Sequence, residues 1–389
     1  MQSFFDDIAD PTESLNRSAL VPLAPVRLGI VGCSGSRQNY GPALPYLPEI
    51  QVTALMDVDM VAVKVWARTL RHAAVFTDYE VFLQEAPIDA VLISSPLPVR
   101  VEQAIAAAQA GKHILCEKPM ARTLQECERM AEAAEENHVL LIPAYVKRFD
   151  RTFLYARQAI GEGVLGELQQ VRCDWSFYAG WGDRRGILKR WAGVFEEHAH
   201  HTIDLCRWWL GEVESVSADI DIGQTLDAKT DQFANLILTH TRGVSIHHIS
   251  RVFHKRPVEQ YLLTGTQGTL HITHGVEWNQ VVSEPFSMTL HLQGLPAQEI
   301  PQTAFPRIEE AIRAHHPGRR LLAHFAACIR AGQTPQIVGC DGCRVVEILN
   351  AGYLSTYERA KITLPLTRSA VLEQILQKVA AHWQSAAVG

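Results

Sequence analysis

The stretch GKHILCEKPM, residues 111–120, decides how the chain is read. Ile114 to Cys116 form a short apolar run of the kind that fills a buried parallel strand, and Glu117-Lys118-Pro119 follow where the run stops. Pro119 removes a backbone donor and holds Lys118 in extended geometry, so pairing ends where an ammonium group stands beside a carboxylate. Open α/β sheets place their ligands at such strand ends. A Lys-Pro step alone is also an ordinary surface turn, so the weight rests on its surroundings.

Upstream, strands and helices alternate from Val26. RLGIV, QVTALMD, DAVLISS and HILC read as the first, second, fourth and fifth strands, and VLLIPAY closes the series as a sixth near Tyr145. Met60 to Arg71, Val99 to Gly111 and Thr123 to Asn137 read as the helices between them, which implies a doubly wound parallel sheet with right-handed crossovers. The first turn runs Gly32-Cys33-Ser34-Gly35-Ser36-Arg37. Against the dinucleotide fingerprint, Ser34 stands at the second glycine and Arg37 at the third. The helix is therefore expected to begin one residue later, with Gly35 taking the close approach and Arg37 available to a phosphate. Asp57 ends the second strand where a carboxylate accepts from the ribose hydroxyls and repels a 2′-phosphate, which favours NAD(H) over NADP(H).

Downstream, Trp191 to Gly211 read as a helical segment rich in histidine. Glu197 and His201, four apart, share a helix face, and Asp204 lies one turn beyond to orient the imidazole. Imidazole titrates near neutrality and can take a hydroxyl proton, while Lys118 can bond the same oxygen. Glu197/His201 and His200/Asp204 are also spaced as metal-ligand pairs, but they lie on neighbouring faces and would need a further ligand, so no metal is expected. Around this segment come Trp175, Phe177, Tyr178 and Trp181, then the cations Arg184, Arg185, Lys189 and Arg190, which suit a polar ring and an acidic group on it.

In this order of motifs the chain resembles the glucose-fructose oxidoreductase / inositol dehydrogenase / rhizopine-catabolism (Gfo/Idh/MocA) family of nicotinamide-dependent sugar and cyclitol dehydrogenases. The resemblance runs from about Val26 to about Leu366. It implies a Rossmann-type domain over 26–145, then a substrate-binding and oligomerisation α/β domain over 146–366 with a large open, mostly antiparallel sheet. Residues 1–25 form an arm before these domains and 367–389 a terminal helix after them. It also implies a cofactor site of Gly32, Cys33, Ser34, Gly35, Ser36, Arg37, Asp57, Ser95, Pro96, Glu117 and Lys118. The catalytic set is Lys118 as relay and oxygen clamp, His201 as base and Glu197 as positioning carboxylate; Arg148, Trp181 and His200 join these three against the substrate. The family has a histidine four residues after the Ser95-Pro96 step, where this chain has Arg100, and more often Asp where it has Glu197. Two other outcomes fit the same fold: a redox-neutral glycoside hydrolase, and a nucleotide-sensing regulator.

Composition bounds the rest. With 389 residues and 47% hydrophobic content the chain can bury two cores. A formal charge of -6 offers no basic field for nucleic acid, and no apolar run reaches membrane-spanning length. A cytoplasmic homodimer or homotetramer acting on a small sugar or cyclitol is expected. The eight cysteines are scattered as reduced, mostly buried thiols rather than spaced as a framework, and Cys340-Asp-Gly-Cys343 is the one CxxC.

Overall fold

The structure is a computed structural model and describes residues 24–178, 194–221, 231–252, 258–275, 287–300 and 317–367. Trp181 and the basic loop after it, the arm up to residue 23 and the terminal helix expected over 369–385 lie outside the described residues. Among the described residues no helix is long and apolar enough to cross a membrane. The chain divides into two compact units.

The first unit holds a six-stranded parallel sheet of order β3-β2-β1-β4-β5-β6, built from β1 (Val26–Val31), β2 (Ile50–Met56), β3 (Ala74–Phe76), β4 (Ala90–Ile93), β5 (His113–Cys116) and β6 (Leu141–Pro143). The crossovers are α1 (Cys33–Tyr40), α2 (Met60–Ala67), α3 (Tyr79–Glu85), α4 (Leu97–Gln109) and α5 (Leu124–Glu136). The four residues of β4 are all buried, as a strand covered on both faces requires. Helix starts follow local chemistry: Asp59 and Asp78 accept from the N–H groups of Val61 and Val81, and Thr123 and Glu126 form a reciprocal capping box at α5.

The second unit begins within α6 (Arg151–Gly161) and is built on a nine-stranded sheet. Its strands are β7 (Leu168–Tyr178), β8 (Val213–Ile220), β9 (Phe233–His240), β10 (Gly243–Val252), β11 (Val258–Gly265), β12 (Gly268–Gly275), β13 (Ser287–Leu292), β14 (Gln298–Ile300) and β15 (Ile362–Thr363). The order is β14-β13-β12-β11-β7-β10-β9-β8-β15, antiparallel throughout except where β10 runs parallel to β7. Helix α7 (Val194–Leu210) packs on β7, β9 and β10.

Two further helices lie among the described residues, α8 (Pro317–Ala331) and α9 (Gly339–Glu358). Both fall within the single continuous α/β domain expected over 146–366. Instead α8 groups with the first unit, and the division falls inside α9. The reason is a set of long-range contacts on α8. Arg319 donates to the carbonyl of Tyr46 at 3.0 Å, Arg320 donates to that of Phe149 at 3.2 Å, and the His324 ring lies 5.3 Å from the ring of Phe149.

Candidate active site

Register fixes one edge of the parallel sheet. Val31 pairs with Met56 on one side and Ile93 on the other, and Ile93 pairs with Cys116. The next residue of each strand is therefore level with its neighbours: Asp57, Gly32, Ser94 and Glu117 line the carboxyl edge of β2, β1, β4 and β5. The strand order reverses direction between β1 and β4, and such a switch point opens a crevice for a ligand.

Gly32 caps α1 with φ of 86°. A Cβ there would stand 2.6–2.7 Å from the backbone of Ser94 and Ser95, so glycine is required by both conformation and space. The later helix start expected from Ser34 and Arg37 is not what forms: α1 begins at Cys33, with Gly32 packed on the Ser94-Ser95 backbone and Gly35 left with room. Arg37 is tolerated at the third fingerprint position because it is exposed. Ser34 is exposed, Gly35 half-buried, and Ser36 is buried with its hydroxyl donating to the carbonyl of Gly32. Cys33 is buried; burial, and then the nearby Asp57 carboxylate, push its thiol up to about 12, so it is inert.

Asp57 is half-buried at the end of β2. One oxygen accepts from the Cys33 N–H at 2.7 Å and the other from Asp59 N–H at 3.0 Å, which orients the carboxylate and leaves each oxygen a second lone pair. Val58, 83% exposed, presents an apolar surface next to it.

Glu117 and Arg100 brace the Lys118 corner from two sides. Glu117, buried, accepts from the Tyr40 hydroxyl at 2.8 Å and the Lys118 N–H at 3.1 Å, tying the end of α1 to the end of β5. Burial and then the Glu117 carboxylate hold the Tyr40 phenol well above its usual range, so it remains a donor. Arg100, buried on α4, donates to the Ser95 carbonyl through Nε at 3.0 Å and Nη2 at 2.6 Å. Its Nη1 donates to the Glu117 carbonyl at 2.9 Å and also to that of Pro119. One planar guanidinium thus joins the Ser95-Pro96 loop to the Glu117-Lys118-Pro119 loop. Lys118 is half-buried between the two braces, and the peptide bond to Pro119 is cis. The sequence marks Arg100 only as a departure from histidine. No local pattern announces its partners, which lie 5 to 19 residues away.

Arg148 lies in a short 3-10 turn over Val146–Phe149 and is 4% exposed. Its guanidinium reaches the Gln336 carbonyl at 3.3 Å and the Asp341 carboxylate at 3.4 Å, which fastens the start of α9 to this turn.

In the second unit α7 carries Glu197, His200 and His201. Glu197 is half-buried, His200 and His201 are buried, and their rings meet edge to face at 4.2 Å. Trp175 of β7 packs against His198 at 4.9 Å and His201 at 5.7 Å, so the indole sets the plane on which the histidines rest. Asp204, one turn on, is buried as well. The helix is held at its first turn by Asp231, whose carboxylate accepts from the Phe195 N–H at 2.6 Å. Burial pushes this carboxyl up to about 7 against the backbone bonds that favour its charge, with Asp221 nearby adding repulsion. Asp231 is a residue the sequence does not point to, since it lies 36 residues from its partner. A separate cavity of about 780 Å³ opens among β8, Phe233 and the end of α9, and none of the expected site residues line it.

A model of the oxidoreductase family, NAD-binding Rossmann fold, matches residues 26–145, and a model of the GFO/IDH/MocA C-terminal domain matches residues 153–271. The scyllo-inositol 2-dehydrogenase (NADP(+)) IolW of Bacillus subtilis is 25% identical over 87% of this chain and 96% of its own. The myo-inositol 2-dehydrogenase of Thermotoga maritima is 27% identical over 50% of this chain and 58% of its own, and an uncharacterized Synechocystis oxidoreductase is matched over 54% of its length. Among solved structures, the WlbA dehydrogenase of Bordetella pertussis, in complex with NADH and UDP-GlcNAcA, superposes with a TM-score of 0.73 at 23% identity, covering 88% of this chain and 99% of that one. With a family model on the sheet of each unit, the chain belongs to the Gfo/Idh/MocA oxidoreductase family, whose first domain is an NAD-binding Rossmann fold.

Proposed function

We propose that this protein moves a hydride between NAD and a secondary hydroxyl of a sugar, sugar acid or cyclitol. The observation that carries the reading is the level edge of Asp57, Gly32, Ser94 and Glu117, with Lys118 braced beside it by Glu117 and Arg100. The residues fit the dinucleotide: Gly32 permits the tight turn after β1, Asp57 is oriented to accept from a ribose, Val58 offers the adenine an apolar surface, and Arg37 is exposed at the first helix. Ser95 and Pro96 are assigned to the nicotinamide ribose. Asp57 and Asp59 make the corner anionic, which disfavours a 2′-phosphate. When bound, the nicotinamide supplies the acceptor or donor of the hydride.

The chain's own part is the proton. His201 takes the hydroxyl proton as the carbon loses its hydride, and Lys118 donates a hydrogen bond to the same oxygen, stabilises its charge and relays the proton outward. Glu197, on the His201 face of α7, positions a neighbouring hydroxyl, and His200, Arg148 and Trp181 are assigned to the substrate side. The relatives named as inositol dehydrogenases support the substrate class.

The test is a parallel titration of nucleotide-free protein with NADH and NADPH, followed by a polyol and sugar-acid screen. NADH is expected to bind more tightly, by roughly tenfold or more given the acidic corner. Lys118→Met and His201→Asn should each lower kcat by about 100-fold or more, and His201→Asn should leave NADH affinity unchanged. Full turnover in both variants would overturn the mechanism, and binding of neither nucleotide would overturn the function.

A further inference from the structure

The face of the large sheet beneath α7 carries a group of side chains that the proposed reaction does not use. Cys173 on β7 and His247 on β10 are register partners in adjacent parallel strands, so their side chains stand side by side on one face. Cys206 descends onto them from α7, five residues past His201. The two sulfurs are 3.6 Å apart, and the three donor atoms all lie within 4.8 Å of one another. All three residues are buried, with exposures of 3%, 0% and 1% for Cys173, Cys206 and His247.

We propose that Cys173, Cys206 and His247 form a zinc site that fastens α7 to the sheet. Two thiolates at about 2.3 Å from a tetrahedral zinc ion lie about 3.8 Å apart, close to the sulfur separation found here. Thiolate and imidazole are donors that select zinc over magnesium or calcium. Two thiolates also neutralise a divalent ion, which suits a core where an uncompensated charge is costly. Loading is Zn²⁺ plus two thiols giving a zinc bis-thiolate and two protons, with no change of oxidation state. The imidazole is already oriented from both sides. Thr202 Oγ1 donates to the Ala199 carbonyl and lies 2.9 Å from His247 Nδ1, while Ser245 Oγ lies 2.7 Å from Nε2 and 2.8 Å from His240 Nε2. One ring nitrogen takes the metal and the other keeps its hydroxyl partner, the arrangement that fixes metal-bound histidines. Ser245 Oγ is an oxygen at hand for the fourth position. Because the cluster is closed to solvent, the ion enters as the unit folds.

The experiment measures metal in the full chain purified without chelator from zinc-supplemented cells, then unfolds the protein in denaturant with chelator, removes both and refolds it with Co²⁺. About one zinc per chain is expected, and one equivalent of Co²⁺ should give a thiolate-to-cobalt charge-transfer band with the intensified visible bands of a tetrahedral ion. The bands should be lost in C173S and C206S and kept in C127S and C340S. H247Q, which retains a side chain able to bond Thr202, should weaken Co²⁺ at least tenfold with an unchanged far-ultraviolet dichroism spectrum. Folded wild-type protein that holds no zinc and gives no charge-transfer band overturns the proposal. So does a band that survives in both C173S and C206S, or a chain 2 Da lighter than its reduced mass and free of metal, which would mean the pair closes as a disulfide. NADH titration of the same samples keeps this result separate from that of the proposed reaction.

Discussion

Arg100 shows how one side chain can replace a family feature and bring its own requirements. A buried guanidinium serving three backbone carbonyls cannot be shortened without leaving those acceptors dry, and each unsatisfied buried group costs about 1–3 kcal/mol. Arg100→Leu is therefore expected to lower unfolding free energy by roughly 3–5 kcal/mol, read by urea denaturation. Arg100→Lys keeps the charge but not the fork, so it should fall between. The same two variants should weaken NADH binding in the same order, because the loops that Arg100 joins are those assigned to the nicotinamide end. A leucine variant as stable as wild type would mean that water can replace the guanidinium.

At the scale of elements, α7 depends on a carboxyl group that is poorly placed for its own charge. The folded Asp231 carboxyl titrates at about 7, above its ordinary 3.8, so the folded state holds a proton that the unfolded state has released. Its contribution is present in full below about pH 4, is lost as pH rises towards 7 and is flat beyond. Asp231→Asn, whose amide oxygen can still accept from Phe195, should remove that slope: the wild-type minus variant stability should fall between pH 4 and 7. A difference that stays constant across the range would show that Asp231 is not the group responsible. The contrast with α5 explains what the sequence could and could not tell. Thr123 and Glu126 cap α5 from within four residues, and the helix expected over Thr123 to Asn137 forms over Leu124–Glu136. The buried runs ILC and VLI likewise announce β5 and β4. By contrast, the anchors of α7, the Arg100 brace and the seat of α8 are each one residue meeting another far along the chain, and periodicity carries no trace of such pairs. Strand β14 is illegible for a related reason, since an edge strand of three residues holds too few alternations to register.

At the scale of the molecule, the nine-stranded sheet has one face under α7 and another that carries a continuous row of side chains. Leu262, Arg172, Ile246 and Ile237 are register partners across β11, β7, β10 and β9, and Ile237 is 51% exposed. Buried Ala234, Leu236 and Leu238 alternate with it along β9, which puts the row on the opposite face from the core. Among the described residues the sheet ends in β14 and β15, strands of three and two residues, so these edges offer little backbone for another chain to pair with. The homodimer or homotetramer that the family resemblance implies would therefore form through this face rather than through an edge. Sedimentation equilibrium should give a multiple of the 43.3 kDa chain mass. Ile246→Glu, central in the row, should place like charges opposite each other across a twofold axis and shift the protein towards monomer, with NADH affinity retained because the nucleotide residues belong to the other unit. A wild-type protein that sediments as a monomer at micromolar concentration would exclude this face as a stable interface, and the row would then be solvent-facing sheet.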